Sequence, residues 1–251
     1  MGNTEIIYKQ YSKRIYNFAF RMTGDKDDAS DITQETFIQG FNSLDKFKGE
    51  SQIYTWLYKI AKNKCIRHLE KKNRTTFLSL HELIDKTSSP VSEEISETEK
   101  TNYISQVKDG CLSGLIRCLS LQQRLAFILN VLLDLPLEQV ASVIDKSENA
   151  TRILVHRAKQ NIKEFLCIHC SLYDSKNTCR CENLINFSLK QGWISIHNHA
   201  QIESEIKELK DVVGLYKTLL ETTPAIEFDK QIQRILADKV DFLILNDKKV
   251  K

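Results

Sequence analysis

Apolar side chains recur every three or four residues along most of this chain, and that spacing constrains the fold before anything else does. Ile7, Tyr11, Ile15, Phe18 and Met22 fall on one face of a helix. Ile32, Phe37, Phe41 and Leu44 make a second such face, and Ile53, Leu57, Ile60 and Ala61 a third. Gly24 stands where a helix C-terminus favours glycine, and Asp25 or Asp28 can cap the helix that follows. Only eight glycines and three prolines occur among 251 residues. So few turn formers argue against a sandwich, a barrel or a many-turned α/β enzyme. The expected class is all-α.

No stretch approaches the ~18 uninterrupted apolar residues of a membrane span. The greasiest run, from Leu125 to Leu137, is broken by Asn130 and Asp134. The first ten residues lack a basic segment followed by an apolar one, and Ile6 stands where a myristoylation motif wants Ser or Thr. The expected compartment is the cytoplasm. Seven cysteines there are read as core residues, metal ligands or redox groups before structural disulfides.

Composition divides the chain into residues 1–74, a linker over 75–110, a second helical domain over 111–166, and an extension over 167–251. The linker opens polar and acidic, with Glu82, Asp85, Glu93, Glu94, Glu97 and Glu99 against Lys86 and Lys100. In the extension, Ile202, Ile206, Leu209, Val213, Tyr216 and Leu220 line one helical face. Ile232, Ile235, Leu236, Val240 and Leu243 line another.

Two basic elements stand out. Between Trp56 and Arg74 lie Lys59, Lys62, Lys64, Arg67, Lys71, Lys72 and Arg74, opposed by Glu70 alone. Lys59, Asn63, Arg67 and Lys71 share a helical face, with Tyr54, Trp56 and Tyr58 nearby. A solvated face would look the same. A basic stripe beside aromatics also holds phosphates and stacks unpaired bases. Further on, Leu137, Val140, Ala141 and Ile144 mark a short helix, Asp145 to Ser147 a tight turn, and Ser147 a helix cap. The next helix turns Ile153, Val155, Ala158 and Ile162 inward and Arg152, His156, Lys159 and Lys163 outward. This is a helix-turn-helix pattern, whose second helix enters the DNA major groove.

Cys167, His169, Cys170, Cys179 and Cys181 fall within a short span. Cys167-x-x-Cys170 and Cys179-x-Cys181 can each grip one metal, and thiolate with imidazole suits Zn²⁺. A redox thiol pair and inert buried cysteines are the other readings. Cys65, Cys111 and Cys118 occupy apolar helical positions and are read as core.

The string DDASDITQETFIQGFNSLDKFKGESQIYTWLYKIAKNKCIRHLEKKNR, residues 27–74, resembles the promoter-melting domain of extracytoplasmic-function (ECF) RNA polymerase sigma factors. The segment beginning LIRCLSLQQRLAFILNVLLDLPLEQVA resembles the same family's promoter-reading domain. The resemblance implies that Asp31, Gln34, Glu35 and Phe37 dock on core RNA polymerase. It implies that the FKGES loop, with Lys46, Lys48, Glu50 and Ser51, receives a flipped base of the −10 element, beside Trp56. Lys59, Asn63 and Arg67 would hold the separated strand. Ser147, Asn149, Arg152, His156 and Arg157 would meet the −35 element, and the acidic linker would run toward the RNA exit path. Leu154 stands where the family often has a basic residue, which removes one expected contact. Some sigma factors with extended tails have a similar HC…CRC element, and that resemblance favours His169, Cys170, Cys179 and Cys181 as zinc ligands, with Cys167 the alternative.

The resulting expectation is a sigma factor, not an enzyme, that directs core RNA polymerase to promoter DNA. Its extension would regulate it through metal or thiol state, and an anti-sigma factor is a further expected partner. A helix-turn-helix regulator acting without polymerase would lack a melting domain. A recombinase or transposase would need a nucleophile or carboxylate cluster, and none stands in the expected context.

Overall fold

The computed structural model describes residues 3–47, 49, 51–70, 76–91, 95–190 and 194. Helices dominate, and no strand occurs among the described residues beyond one isolated bridge pairing Cys170 with Cys179. The all-α expectation holds. The apolar faces of the segment 201–251 lie outside the described residues.

The chain forms two compact units, and the described residues of the first lie within 3–70 and 128–152. Here α1 (Asn3–Thr23), α2 (Lys26–Asn42) and α3 (Ile53–Leu69) pack together. Gly24 ends α1 at φ 79°, and its N–H donates to the Phe20 carbonyl at 2.7 Å. Asp25 then caps α2 by accepting from the N–H groups of Asp27 and Asp28 at 2.9 and 3.0 Å. Ile15, Phe18, Met22, Phe37, Leu57, Tyr58 and Ala61 are almost wholly removed from water. Helices α2 and α3 come close at Gly40, where a Cβ would sit 3.1 Å from a Leu57 methyl. Asp28 and Glu35 on α2 pair with His68 and Lys64 on α3, both at 2.9 Å.

The same unit includes a π-turn (Ile128–Leu132) and α7 (Leu137–Ile144), which packs on α3. Arg14 Nη2 donates to the Leu133 carbonyl at 2.9 Å. Helix α7 ends at Asp145, which adopts the left-handed conformation at φ 57° that a short polar side chain tolerates better than most.

The second unit takes in the described residues of 74–127 and 153–222. It contains α4 (Phe77–Thr87), α5 (Glu97–Cys118), α6 (Leu121–Phe127), the body of α8 (Glu148–His169), a 3₁₀ turn (Cys181–Leu184) and α9 (Ile185–Lys190). The expected linker over 75–110 is therefore corrected: most of it is helical. Capping boxes start both helices, Thr76 with Ser79 and Ser96 with Glu99. The linker acids Glu97 and Glu99 sit in the first turn of α5, where the helix dipole favours negative charge. Leu80 and Ile84 bury one face of α4, and Gly114 leaves room for Leu80, whose methyl would lie 3.3 Å from a Cβ there. Helix α5 also runs through the expected boundary at 110/111, and α8 runs past the one at 166/167.

Candidate nucleic-acid interface

On α3 the basic run splits into groups with different surroundings. Asn63 and Arg67 are exposed and Lys59 is half-buried on the same side. Lys62 is different: only 8% of its side chain is exposed, and its ammonium pairs with Asp145 at 2.6 Å. Lys64 is occupied by Glu35. The aromatic residues divide as well. Trp56 is half-buried, its ring 5.3 Å from Phe47 and lying over Gly40. Tyr54 donates its hydroxyl to Gln139 at 2.8 Å. Tyr58 is fully buried edge-on to Phe18, and burial pushes its phenol up to about 12. That corrects the reading of Tyr58 as a base-stacking residue: it faces the core. Lys62 and Tyr54 were not singled out for a structural role. Their signal was the register, since Tyr54, Tyr58 and Lys62 are successive turns of one face.

The loop before α3 contains Gly49 at φ 72°, exposed and with open space where a Cβ would point. Its backbone conformation, not crowding, calls for glycine. Ser51 is exposed. Lys48, Glu50 and the Lys46 side chain lie outside the described residues. On α2, Asp31 and Glu35 are exposed one turn apart and Gln34 is half-buried. Phe37 is wholly buried, 4.9 Å edge-on to Tyr8, so it anchors the helix beneath these polar groups.

The helix-turn-helix reading holds locally. Ser147 Oγ accepts from the Ala150 N–H at 3.2 Å, which starts α8 where expected. Asn149, Arg152 and His156, spaced three and four residues apart, form an exposed row, with Arg157 beside it. Arg152 reaches back to Glu148 at 3.0 Å. Val155, Ala158 and Ile162 are buried. Ile153 is not: it is 44% exposed, and Thr151 takes the inward position one turn before Val155. The Ser147 hydroxyl is committed to its cap, so its role is to begin the helix.

Past α8, the turn 171–178 is closed by Asn177, whose side-chain amide donates to the carbonyls of Cys167 and Cys170, both at 3.0 Å. Ser171 N–H donates to Cys179 and Cys179 N–H to His169, at 3.0 and 3.3 Å. The His169 ring lies 3.9 Å from His81 and 4.7 Å from Phe165. Burial, followed by His81, lowers its affinity for a proton. Among the described residues, no three His, Cys, Asp or Glu side chains form a ready metal-ligand group. Cys65 and Cys118 are buried as expected.

These helices define a protein with a helical bundle bearing a basic face and a helix-turn-helix segment whose first helix packs on that bundle. The sigma-70 region 2 family matches residues 7–75 and the sigma-70 region 4 family residues 109–162. The chain is 31% identical over 163 residues to the RNA polymerase sigma factor YlaC of Bacillus subtilis, covering 64% of this chain and 90% of that protein. It is 30% identical over 138 residues to the ECF RNA polymerase sigma-E factor of Salmonella typhimurium, covering 54% of this chain and 72% of that one. With the ECF RNA polymerase sigma factor SigE of Mycolicibacterium smegmatis the identity is 26% over 171 residues, 68% of this chain and 64% of that protein. The chain belongs to the ECF-type sigma-70 family. Among the described residues no helix is long and apolar enough to cross a membrane.

Proposed function

We propose that this protein binds core RNA polymerase in the cytoplasm and directs it to specific promoters, with no catalytic chemistry of its own. The observation that carries this reading is a pair of exposed polar rows on separate helices. One is Asn63 and Arg67, with Lys59 beside them; the other is Asn149, Arg152 and His156. The first row suits the backbone of an unpaired strand, because cations and an amide hold phosphates without reading sequence. The second follows a capped helix start in a helix-turn-helix, the position that reads base edges in the major groove. Asp31 offers a carboxylate to a basic partner helix on the polymerase, one turn from the Glu35 carboxylate that pairs with Lys64. The segment beyond residue 166 regulates this activity.

The test is in vitro transcription with purified core polymerase, combined with permanganate footprinting. Replacing Lys59, Asn63 and Arg67 together with Ala should abolish thymine reactivity in the melted region while binding of the isolated protein to duplex survives. Unchanged reactivity would overturn the assignment of the first row. Transcription initiated by core polymerase regardless of the added protein would overturn the whole reading.

A further inference from the structure

The extension and the linker hold each other. Ser89 and Pro90 lie just past the end of α4, and the extension ties down both. The Ser89 N–H donates to the Asn183 carbonyl at 2.9 Å, and the Asn186 side-chain amide donates to the Pro90 carbonyl at 2.7 Å. Lys100, near the start of α5, pairs with Glu182 at 3.3 Å. Apolar packing accompanies these polar ties. The 3₁₀ turn and α9 pack on α5, with Leu184 and Ile185 buried in the extension and Tyr103 and Val107 buried on α5. Helix α4 is held from another side by Phe165 on α8, whose ring lies 5.8 Å from Phe77. Ser89, Pro90, Lys100 and residues 182–186 all lie outside the two matched sigma-70 regions.

One contact sets the consequence for the linker. A Cβ at Gly114 would lie 3.3 Å from a methyl of Leu80, so these distant positions touch. The stretch between them would span roughly 115 Å if extended. Folded back on itself, it supplies almost no reach. The −10 and −35 elements are about 25 base pairs apart, which is roughly 85 Å of duplex. A linker closed from Leu80 to Gly114 therefore works against contact with both elements at once. Helix α4 has only 11 residues, too few for a stable helix in isolation. Its folded form depends on what packs around it and on what holds the chain just after it.

We propose that the extension is an internal clasp on the linker: residues 182–186 hold Ser89, Pro90 and Lys100, keep α4 and α5 folded against each other, and so restrain the reach between the two DNA-contacting rows. This deepens the sigma-factor reading and rests on it. The clasp is built to open. The Lys100–Glu182 pair is partly exposed, with 28% and 39% of the two side chains open to water, so it adds little stability. Two hydrogen bonds and the burial of Leu184 and Ile185 carry most of the hold. Releasing them costs few contacts, and it frees a linker long enough to span the distance between the promoter elements.

The experiment compares full-length wild type with the double variant Leu184→Ser/Asn186→Ala, which removes a buried apolar side chain and the hold on Pro90. Amide hydrogen exchange read by mass spectrometry should be at least ~10-fold faster in α4 and the first half of α5, and unchanged in α1, α2, α3 and α7. With core polymerase and limiting sigma factor, the double variant should give at least ~3-fold more transcript from a promoter carrying both elements. Both proteins should bind a duplex carrying the −35 element alone equally. Asn186→Ala by itself leaves the buried side chains in place and should move exchange and transcription in the same directions by less. Unchanged exchange in α4 and α5 overturns the clasp. Faster exchange with equal or lower transcript, or an equal gain on the single-element duplex, overturns the restraint on reach. If the double variant also loses protection in α1 to α3, it has unfolded, and the single variant decides by the same criteria. If neither protein directs core polymerase, the sigma-factor reading fails, while hydrogen exchange still decides whether the extension holds the linker.

Discussion

Two basic helices of this sigma factor carry their charge in opposite ways. Helix α3 is built into a core: Leu57, Tyr58 and Ala61 are buried, Lys62 is sequestered with Asp145, and Lys64 is held by Glu35. Only part of its charge faces water. Helix α8 commits Val155, Ala158 and Ile162 to packing and leaves Asn149, Arg152, His156 and Arg157 exposed. The comparison teaches that charge count alone says little about a reading surface. On α3, position within the helical turn decides whether a basic residue stays open to water or becomes part of the fold. On α8, Thr151 and Val155 carry the packing of the first turns, so substitutions at the exposed Asn149, Arg152 and His156 should act on binding alone.

The largest effect expected from this contrast is at Tyr58. Tyr58→Ala should cost about 3–5 kcal/mol, the range for removing a buried aromatic ring. Urea unfolding followed by circular dichroism measures it. A cost below about 1 kcal/mol would mean that α3 is not anchored through this ring and would dissolve the contrast.

The same residue gives a pH dependence. The Tyr58 phenol is raised to about 12 in the folded protein, against about 10 in an unfolded chain. A group raised on folding contributes stability that is complete below its unfolded value and lost as pH climbs through its folded one. Stability should hold up to about pH 10 and then fall, by roughly 2–3 kcal/mol near pH 12. Tyr58→Phe keeps the ring and should flatten this part of the profile. An identical alkaline decline in the Phe variant would assign it to other groups.

What the sequence disclosed follows the same division. The helix stops and starts were legible because local chemistry writes them: Gly24, the Asp25 cap, the Asp145 turn and the Ser147 cap all stand where read. The candidate contacts on α8 were legible for the same reason, since one helix's periodicity sorts its faces, Ile153 excepted. The apparent linker was misread because its acids and serines are helix-starting residues as well as loop residues. Burial of Leu80, Ile84, Tyr103 and Val107, with Leu80 set against Gly114, turns that segment into packed helix. The burial of Lys62 depends on a neighbour 83 residues away in sequence. No local pattern encodes that.

On α8 the expected effect moves from stability to binding. Arg152→Ala should leave unfolding within about 0.5 kcal/mol of wild type, as for an exposed residue. Its partner Glu148 is itself exposed, and such pairs add little. Binding to promoter duplex should weaken by about 1–3 kcal/mol if the guanidinium meets a base edge, and selectively. Contact with phosphate alone should weaken all sequences equally and make the salt dependence shallower. Fluorescence anisotropy on promoter and scrambled duplexes at several salt concentrations separates these. A variant with unchanged affinity and selectivity would remove Arg152 from the reading surface.

The smallest effect sharpens the contrast within a single ion pair. Lys62 is buried while Asp145 is 71% exposed, so the two partners are not equivalent. Removing the carboxylate charge leaves an ammonium with little access to water, whereas the aspartate alone could be hydrated. Asp145→Asn retains an oxygen that can accept from Lys62 and a side chain that tolerates the left-handed backbone. It should cost about 1 kcal/mol, near the net scale of one ordinary hydrogen bond. Asp145→Ala loses the acceptor and also strains a position held at φ 57°, and should cost about 1–2 kcal/mol more. Lys62→Met, which keeps the apolar stem and removes the buried charge, should restore most of the loss when combined with Asp145→Asn, because a paired charge exchanged for well-packed methylenes is often neutral. A double variant no more stable than Asp145→Asn alone would show that the α3 lysine is hydrated after all, and that the two helices differ less than their burial says.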